Sequence, residues 1–159
     1  MIVNVKIEIA AFGTMVVEVD TEAAPITAAN FLDLVDKGFY NGLTFHRIVP
    51  NFVIQGGCPL GNGTGGSGKN IKGEFKSNGW DNPIKHTKGV ISMARAQDPN
   101  SASSQFFIMV GNAPHLDGNY AAFGKVVQGY EVADTISRLP HTGKNLGLEP
   151  VVIQSITRL

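Results

Sequence analysis

The sequence predicts a mainly β protein, a barrel or sandwich of short strands accompanied by two helices. Three observations carry this expectation. The chain is rich in valine and isoleucine, yet holds 19 glycines and 8 prolines, so short strands must alternate with many turns. Apolar residues alternate with polar ones at the N-terminus and recur in compact runs further on. Only two segments, after Pro25 and after Glu131, keep a helical period. A chain of 159 residues favours one domain, expected to span 1–159, with a proper core.

Each element has a local reason. Val3, Val5, Ile7 and Ile9 alternate with Asn4, Lys6 and Glu8, the pattern of a half-buried strand. A turn at Ala11-Phe12-Gly13 leads to Met15–Val19, an antiparallel partner. Pro25 occupies the first position of a helix expected to run to Lys37, where Gly38 stops it. Ala28, Phe31, Leu32 and Val35 form its apolar face, and the expected role is to plug one end of a barrel. Residues 45–57 read as two short strands around a Pro50-Asn51 turn. Val90–Ala94 and Gln105–Val110 are further strands, and Tyr120–Val127 another. A second helix is expected over Glu131–Leu139, with Pro140 beyond it. The last strand, Val151–Ile156, is expected to pair with the first and close the barrel.

Composition removes several function classes. Lys+Arg and Asp+Glu both number 13, which argues against a broad electrostatic grip on nucleic acid. No apolar run approaches the roughly 20 residues of a membrane helix. The single Cys58 allows no internal disulfide and no multi-cysteine zinc site. His46, His86, His115 and His141 lack metal-ligand spacing, so no metal is expected. His86, Trp80 and His115 read as surface or turn residues, and Cys58 as a packing residue. Met1 leads directly into a strand pattern, so a cytoplasmic location is expected. Gly61–Gly66 satisfies G-x-G-x-x-G and Gly63–Lys69 satisfies G-x-x-x-x-G-K. Both phosphate patterns need a following helix, and Asn70–Phe75 has no helical period. An irregular loop is the expectation there.

The stretch from Phe45 to Gly57 carries chemistry on a core-like background: Arg47 and Gln55 sit among Ile48, Val49, Phe52, Val53 and Ile54. A guanidinium cannot lose its proton, so Arg47 must meet solvent, a carboxylate or a ligand. On the 105–110 strand, Gln105 and Phe107 share one face, while Phe106 and Ile108 share the other. The Gln105 face reads as outward. Pattern alone leaves Phe107 open between core and groove.

Phe45–Gly57 resembles the signature of the cyclophilin family of prolyl cis-trans isomerases. So do Ser104–Ile108, Gly89–Ala94, Leu116-Asp117-Gly118 and Phe123–Val126, in the family's order. The resemblance runs from about Val5 to about Thr157. It implies a closed eight-stranded antiparallel β-barrel capped by two α-helices. It places Phe107 in the groove and identifies residues 56–68 as a glycine-rich loop along it. It implies a peptidyl-prolyl isomerase that assists folding of proline-containing polypeptides without a cofactor, expected to act as a monomer. Arg47 matches the catalytic arginine. Phe52, Phe107 and Leu116 match the proline pocket, and Gln55 the residue that orders the arginine. Ala94, Arg95 and Gln105 match the peptide-binding segment. Val53 replaces a usual methionine, Arg95 a common asparagine, His115 a tryptophan and Tyr120 a histidine. The His115 difference implies reduced affinity for cyclosporin-like inhibitors.

The chemistry fits such a residue set. Rotation about a peptide bond meets a barrier of about 18–20 kcal/mol because it breaks amide resonance. A catalyst need only favour the twisted state. An apolar pocket grips the ring, and a fixed cation donates to the proline nitrogen as its lone pair localises. The alternatives are a non-catalytic proline-peptide-binding or chaperone module, a nucleotide enzyme on the glycine loop, and a structural barrel.

Overall fold

A computed structural model describes all residues, 1–159. Eight strands run in chain order as β1 (Ile2–Ile9), β2 (Gly13–Asp20), β3 (Arg47–Val49), β4 (Val53–Gly56), β5 (Val90–Met93), β6 (Phe106–Met109), β7 (Ala122–Gln128) and β8 (Ile153–Arg158). Helix α1 (Pro25–Asp36) follows β2, and α2 (Tyr130–Ser137) follows β7. The strands form one sheet in the order β3-β4-β6-β5-β7-β2-β1-β8, and every neighbouring pair is antiparallel.

The sheet curls on itself, and period-2 alternation decides what lies inside. Val5, Ile7 and Ile9 of β1 and Met15, Val17 and Val19 of β2 are buried in one core. Ile54, Ile91, Phe106, Ile108 and Phe123 join them from the other side of the curl. Phe31 of α1 reaches into this core, with its ring 5.7 Å from Phe106 and 5.0 Å from Phe123. Both helices bury the faces their spacing predicts, Ala28, Phe31, Leu32 and Val35 on α1 and Ala133 and Ile136 on α2.

The expected full closure needs correction. β8 pairs with β1, but β3 and β8 share no continuous ladder. An isolated Thr44–Val152 bridge and a bond from Phe45 N–H to Val151 O of 3.0 Å join the two edges. Pro150, just before this segment, has no N–H to extend a ladder, and β3 is only three residues long. The result is a curled half-barrel.

The stretch from Glu74 to Lys88 has little regular structure but fixes α1. Ala24 offers no side-chain cap. Instead the buried Glu74 carboxylate accepts the Thr27 N–H at 2.7 Å and the Thr27 hydroxyl at 2.8 Å, satisfying one of the amides the helix start leaves free. The Trp80 indole N–H donates to Ala23 O at 2.7 Å. Trp80 is thus a half-open packing residue with a defined polar partner. No α-helix follows the glycine-rich loop; the next helical turn is a 3-10 turn at Lys76–Asn78. The phosphate-loop reading therefore has no structural basis.

Candidate active site

The site lies on the outer face of the sheet, opposite the main core. Register aligns it. Arg47 on β3 pairs with Gln55 on β4, Gln55 with Phe107 on β6, and Phe107 with Ser92 on β5. Paired residues point to the same side, so four strands present one row. Inward-facing Ile48, Ile54, Ile108 and Ile91 alternate with it and belong to the core.

Three members of this row, Arg47, Gln55 and Phe107, help line a cavity of about 250 Å³ together with Phe52, Val53, Ala94, Arg95, Leu116 and Tyr120. All nine are residues the sequence singled out. Gln105 lies next door, in a second cavity of about 440 Å³ that shares Gln55, Ala94 and Arg95 with the first and is otherwise lined by the glycine-rich loop, Asn70, Ala96, Ser101 and Ser103. His115 lines neither cavity; it is exposed and its ring stacks 6.0 Å from Phe52. Phe107 is buried and still forms the cavity floor. It belongs to a small outer cluster with Val53, Val90, Met109, Ala113, Leu116 and Ala122. Core and groove are here the same place.

A directed chain of hydrogen bonds crosses the site. An Arg47 guanidinium N–H donates to Gln55 Oε1 at 3.4 Å. Gln55 Nε2 donates to Gln105 Oε1 at 3.0 Å. Gln105 Nε2 donates to Gly63 O at 2.9 Å and Gly65 O at 2.8 Å. A guanidinium can only donate and a carbonyl can only accept, so both ends fix the direction of the two amides between them. The Arg47 cation also lies 6.0 Å from the Phe52 ring.

The loop bonding to Gln105 is held from below. Gly57, with φ of 87°, starts it where a Cβ would sit 2.8 Å from Ser104 O; only glycine fits that turn. Cys58 is buried and its Sγ accepts the Gly65 N–H at 3.2 Å. Burial raises the thiol's pKa, but loop backbone hydrogen bonds outweigh it and leave the group below its ordinary value.

The reading of His86 as a surface residue is wrong. Its side chain is buried, with 1% of the residue exposed, beneath Phe107, whose ring it stacks on at 6.0 Å. Nδ1 lies 3.0 Å from Asp117 Oδ1, and Nε2 lies 2.9 Å from Ser92 Oγ. Burial lowers the His86 pKa, against the opposing pull of Asp117. The ring is therefore neutral near neutral pH. Asp117 can only accept, so Nδ1 carries the proton and Nε2 accepts from the Ser92 hydroxyl. Burial pushes the Asp117 carboxyl up, but the His86 backbone N–H and ring hold it below the ordinary value. This Asp-His-Ser arrangement resembles a hydrolase triad in connectivity alone. Ser92 is fully buried and its hydroxyl is committed as a donor, so it cannot reach a substrate carbonyl. The relay holds Phe107 from beneath and anchors Asp117, next to Leu116. No sequence signal marks it, because three residues of unrelated spacing meet only through strand register and a loop.

An outer-face cavity with apolar walls, two guanidinium groups at its side and an open polar neighbour defines a class: a curled-sheet protein whose groove suits an extended peptide. Comparison with known proteins narrows the class. The family described as "Cyclophilin type peptidyl-prolyl cis-trans isomerase/CLD" matches residues 4–158. The chain is 51% identical over 120 residues to peptidyl-prolyl cis-trans isomerase B of Bacillus subtilis, covering 76% of this chain and 80% of that protein. It is 40% identical over 151 residues to peptidyl-prolyl cis-trans isomerase ppi1 of Schizosaccharomyces pombe, covering 94% and 95%. A crystal structure of a Cryptosporidium parvum cyclophilin-type isomerase superposes with a TM-score of 0.91 at 31% identity, covering 100% of this chain and 98% of that one. The same C. parvum protein, solved in the presence of the dipeptide Ala-Pro, gives a TM-score of 0.89 at 32% identity and 98% coverage of both chains. The chain belongs to the cyclophilin-type family and is a peptidyl-prolyl cis-trans isomerase.

Proposed function

We propose that the 250 Å³ cavity seats the proline ring of an X-Pro segment in a polypeptide, and that Arg47 is the catalytic group. The observation that carries this is the placement of the Arg47 guanidinium, without a carboxylate partner, beside a pocket walled by Phe52, Val53, Phe107 and Leu116. The apolar walls hold the ring while the rest of the peptide turns. As the amide twists, the proline nitrogen regains its lone pair and becomes an acceptor. An Arg47 N–H then gains a partner it lacks in the planar ground state, so the bond favours the transition state over the bound substrate.

Gln55 is a positioning residue in this scheme. It holds Arg47 from one side and passes the constraint through Gln105 to the glycine-rich loop. Ala94, Arg95 and Gln105 hold the peptide beside the pocket. Tyr120 completes its wall, and His115 forms the outer rim through its stack on Phe52. That rim differs from the one the family's inhibitor-binding members present, and reduced affinity for cyclosporin-like ligands follows from it.

Magnetisation-exchange NMR on a short peptide with one X-Pro bond tests the proposal. Wild type accelerates exchange far above the uncatalysed rate, which corresponds to roughly tens to hundreds of seconds, and Arg47→Ala abolishes most of the acceleration while remaining folded. Fast exchange in both proteins would remove Arg47 from the mechanism. Slow exchange in both, with peptide bound, would turn the groove into a binding module.

A further inference from the structure

Charge at the site departs from charge elsewhere. The chain is formally neutral, and two of its four arginines are neutralised locally: Arg138 by Asp134 at 3.1 Å and Arg158 by Asp36 at 2.8 Å. The other two, Arg47 and Arg95, make no ion pair, and both line the proline cavity. Neither that cavity nor its neighbour has an aspartate or glutamate in its lining. Glu74, adjacent in sequence to the Phe75 ring beneath Arg95, gives its Oε1 to Thr27.

Arg95 is held in place without being neutralised. Its Nε and Nη2 donate to Asn119 O at 3.1 and 2.7 Å, and its Nη1 to Ala96 O and Gln97 O at 3.0 and 3.2 Å. Its guanidinium carbon lies 4.9 Å from the Phe75 ring and 4.6 Å from the Tyr120 ring. Carbonyl dipoles and ring faces orient the cation but leave its full charge in place. Four of its five N–H groups are committed, and the fifth, on Nη2, has no protein acceptor. The group stands on the divide shared by the two cavities.

An X-Pro chain seated as proposed above crosses that divide. With the ring in the first cavity and its nitrogen toward Arg47, the residues before proline leave past Gln55, which lines both cavities. Their side chains then enter a second cavity furnished with neutral polar groups from Thr64, Asn70, Ser101 and Ser103 and bordered by Arg95.

Resting on the isomerase reading, we infer that Arg95 is a specificity-determining residue, selecting polypeptides with a carboxylate side chain on one of the two residues before the proline. An acidic residue there meets two unpaired cations and an open N–H donor, whereas a basic residue meets repulsion. An acidic residue after the proline lies away from the second cavity and gains nothing.

The test is exchange NMR on matched short peptides with Glu or Gln at the first or second position before proline, or at the first position after it. At low ionic strength the better preceding-Glu peptide has a kcat/KM about threefold to tenfold above its Gln counterpart, the scale of an exposed to partly buried charge pair. The ratio falls toward one in about 1 M salt. Glu after the proline gives no advantage. Arg95→Lys, which keeps the charge, retains the ratio, and Arg95→Gln brings the ratio to about one, whatever that variant does to the turnover of the Gln peptide itself. Equal turnover of Glu and Gln peptides at every salt concentration overturns the inference and leaves the isomerase intact. Acceleration of neither peptide overturns the isomerase reading itself.

Discussion

The same short strands build two different surfaces. On the inner face, Ile54, Phe106 and Ile108 belong to the main apolar core. One residue along, Gln55 and Phe107 face outward into a row with Arg47 and Ser92. The inner face is redundant, since many side chains share its packing. The outer face is specific: each polar group has one or two partners, and the chain from Arg47 to Gly65 runs in a single direction. A change inside is felt as stability, and a change at Arg47 or Gln55 as rate.

Substitutions at adjacent positions sharpen this contrast. Phe106→Ala, which empties an aromatic site in the core, is expected to cost about 3–5 kcal/mol of stability, read as a lower urea midpoint. Turnover per folded molecule stays within about twofold. Ser92→Ala leaves His86 Nε2 without its donor in a dry site and is expected to cost about 1–3 kcal/mol. Its pocket loosens under Phe107, so KM rises more than kcat falls. Gln55→Ala releases Arg47 and lowers kcat/KM about tenfold, the equivalent of about 1.4 kcal/mol, with the urea midpoint nearly unchanged. If Gln55→Ala instead destabilises the fold as much as Phe106→Ala, the two faces are not separable.

A smaller effect concerns pH. Burial lowers the pKa of both His86 and His46, and Arg47 adds to the effect at His46. Both groups sit below the ordinary value of 6.5. As pH falls through that value, the unfolded chain takes up protons the folded chain refuses, so stability declines on acidification and is unaffected by these groups above about pH 7. A urea midpoint lower at pH 5.5 than at pH 7.5 is expected. An unchanged midpoint would place these rings in contact with water.

The two faces also differ in how far the sequence reveals them. Alternation in residues 3–9 and 105–110 placed the inner face correctly, because burial on one side of a strand leaves a period of two. Pro25 and Gly38 marked α1 to within a residue. Arg47 and Gln55 stood out by their chemistry on an apolar background, whereas the other cavity residues were legible through the ordered match to a known family, since pattern alone left Phe107 open. The His86 relay was not legible at all: Lys85, His86 and Thr87 look like a solvated turn, and only the pairing of β5 with β6 brings Ser92 under Phe107. Arg95 was legible as a charge but not as a fixed one, because its partners are carbonyls and rings drawn from three separate segments. Full closure was over-read, since strand counting does not see that Pro150 interrupts the last seam.

In the proposed mechanism Arg47 acts on the twisted amide rather than on the resting peptide. Measuring saturated turnover and peptide affinity separately in Arg47→Ala tests it most directly. A saturated rate lower by about 10²–10³ is expected, the scale of losing one preorganised donor, with the peptide dissociation constant changed by less than about tenfold. A variant that binds peptide much more weakly but turns over at the wild-type rate once saturated would contradict it, and would make Arg47 a binding residue.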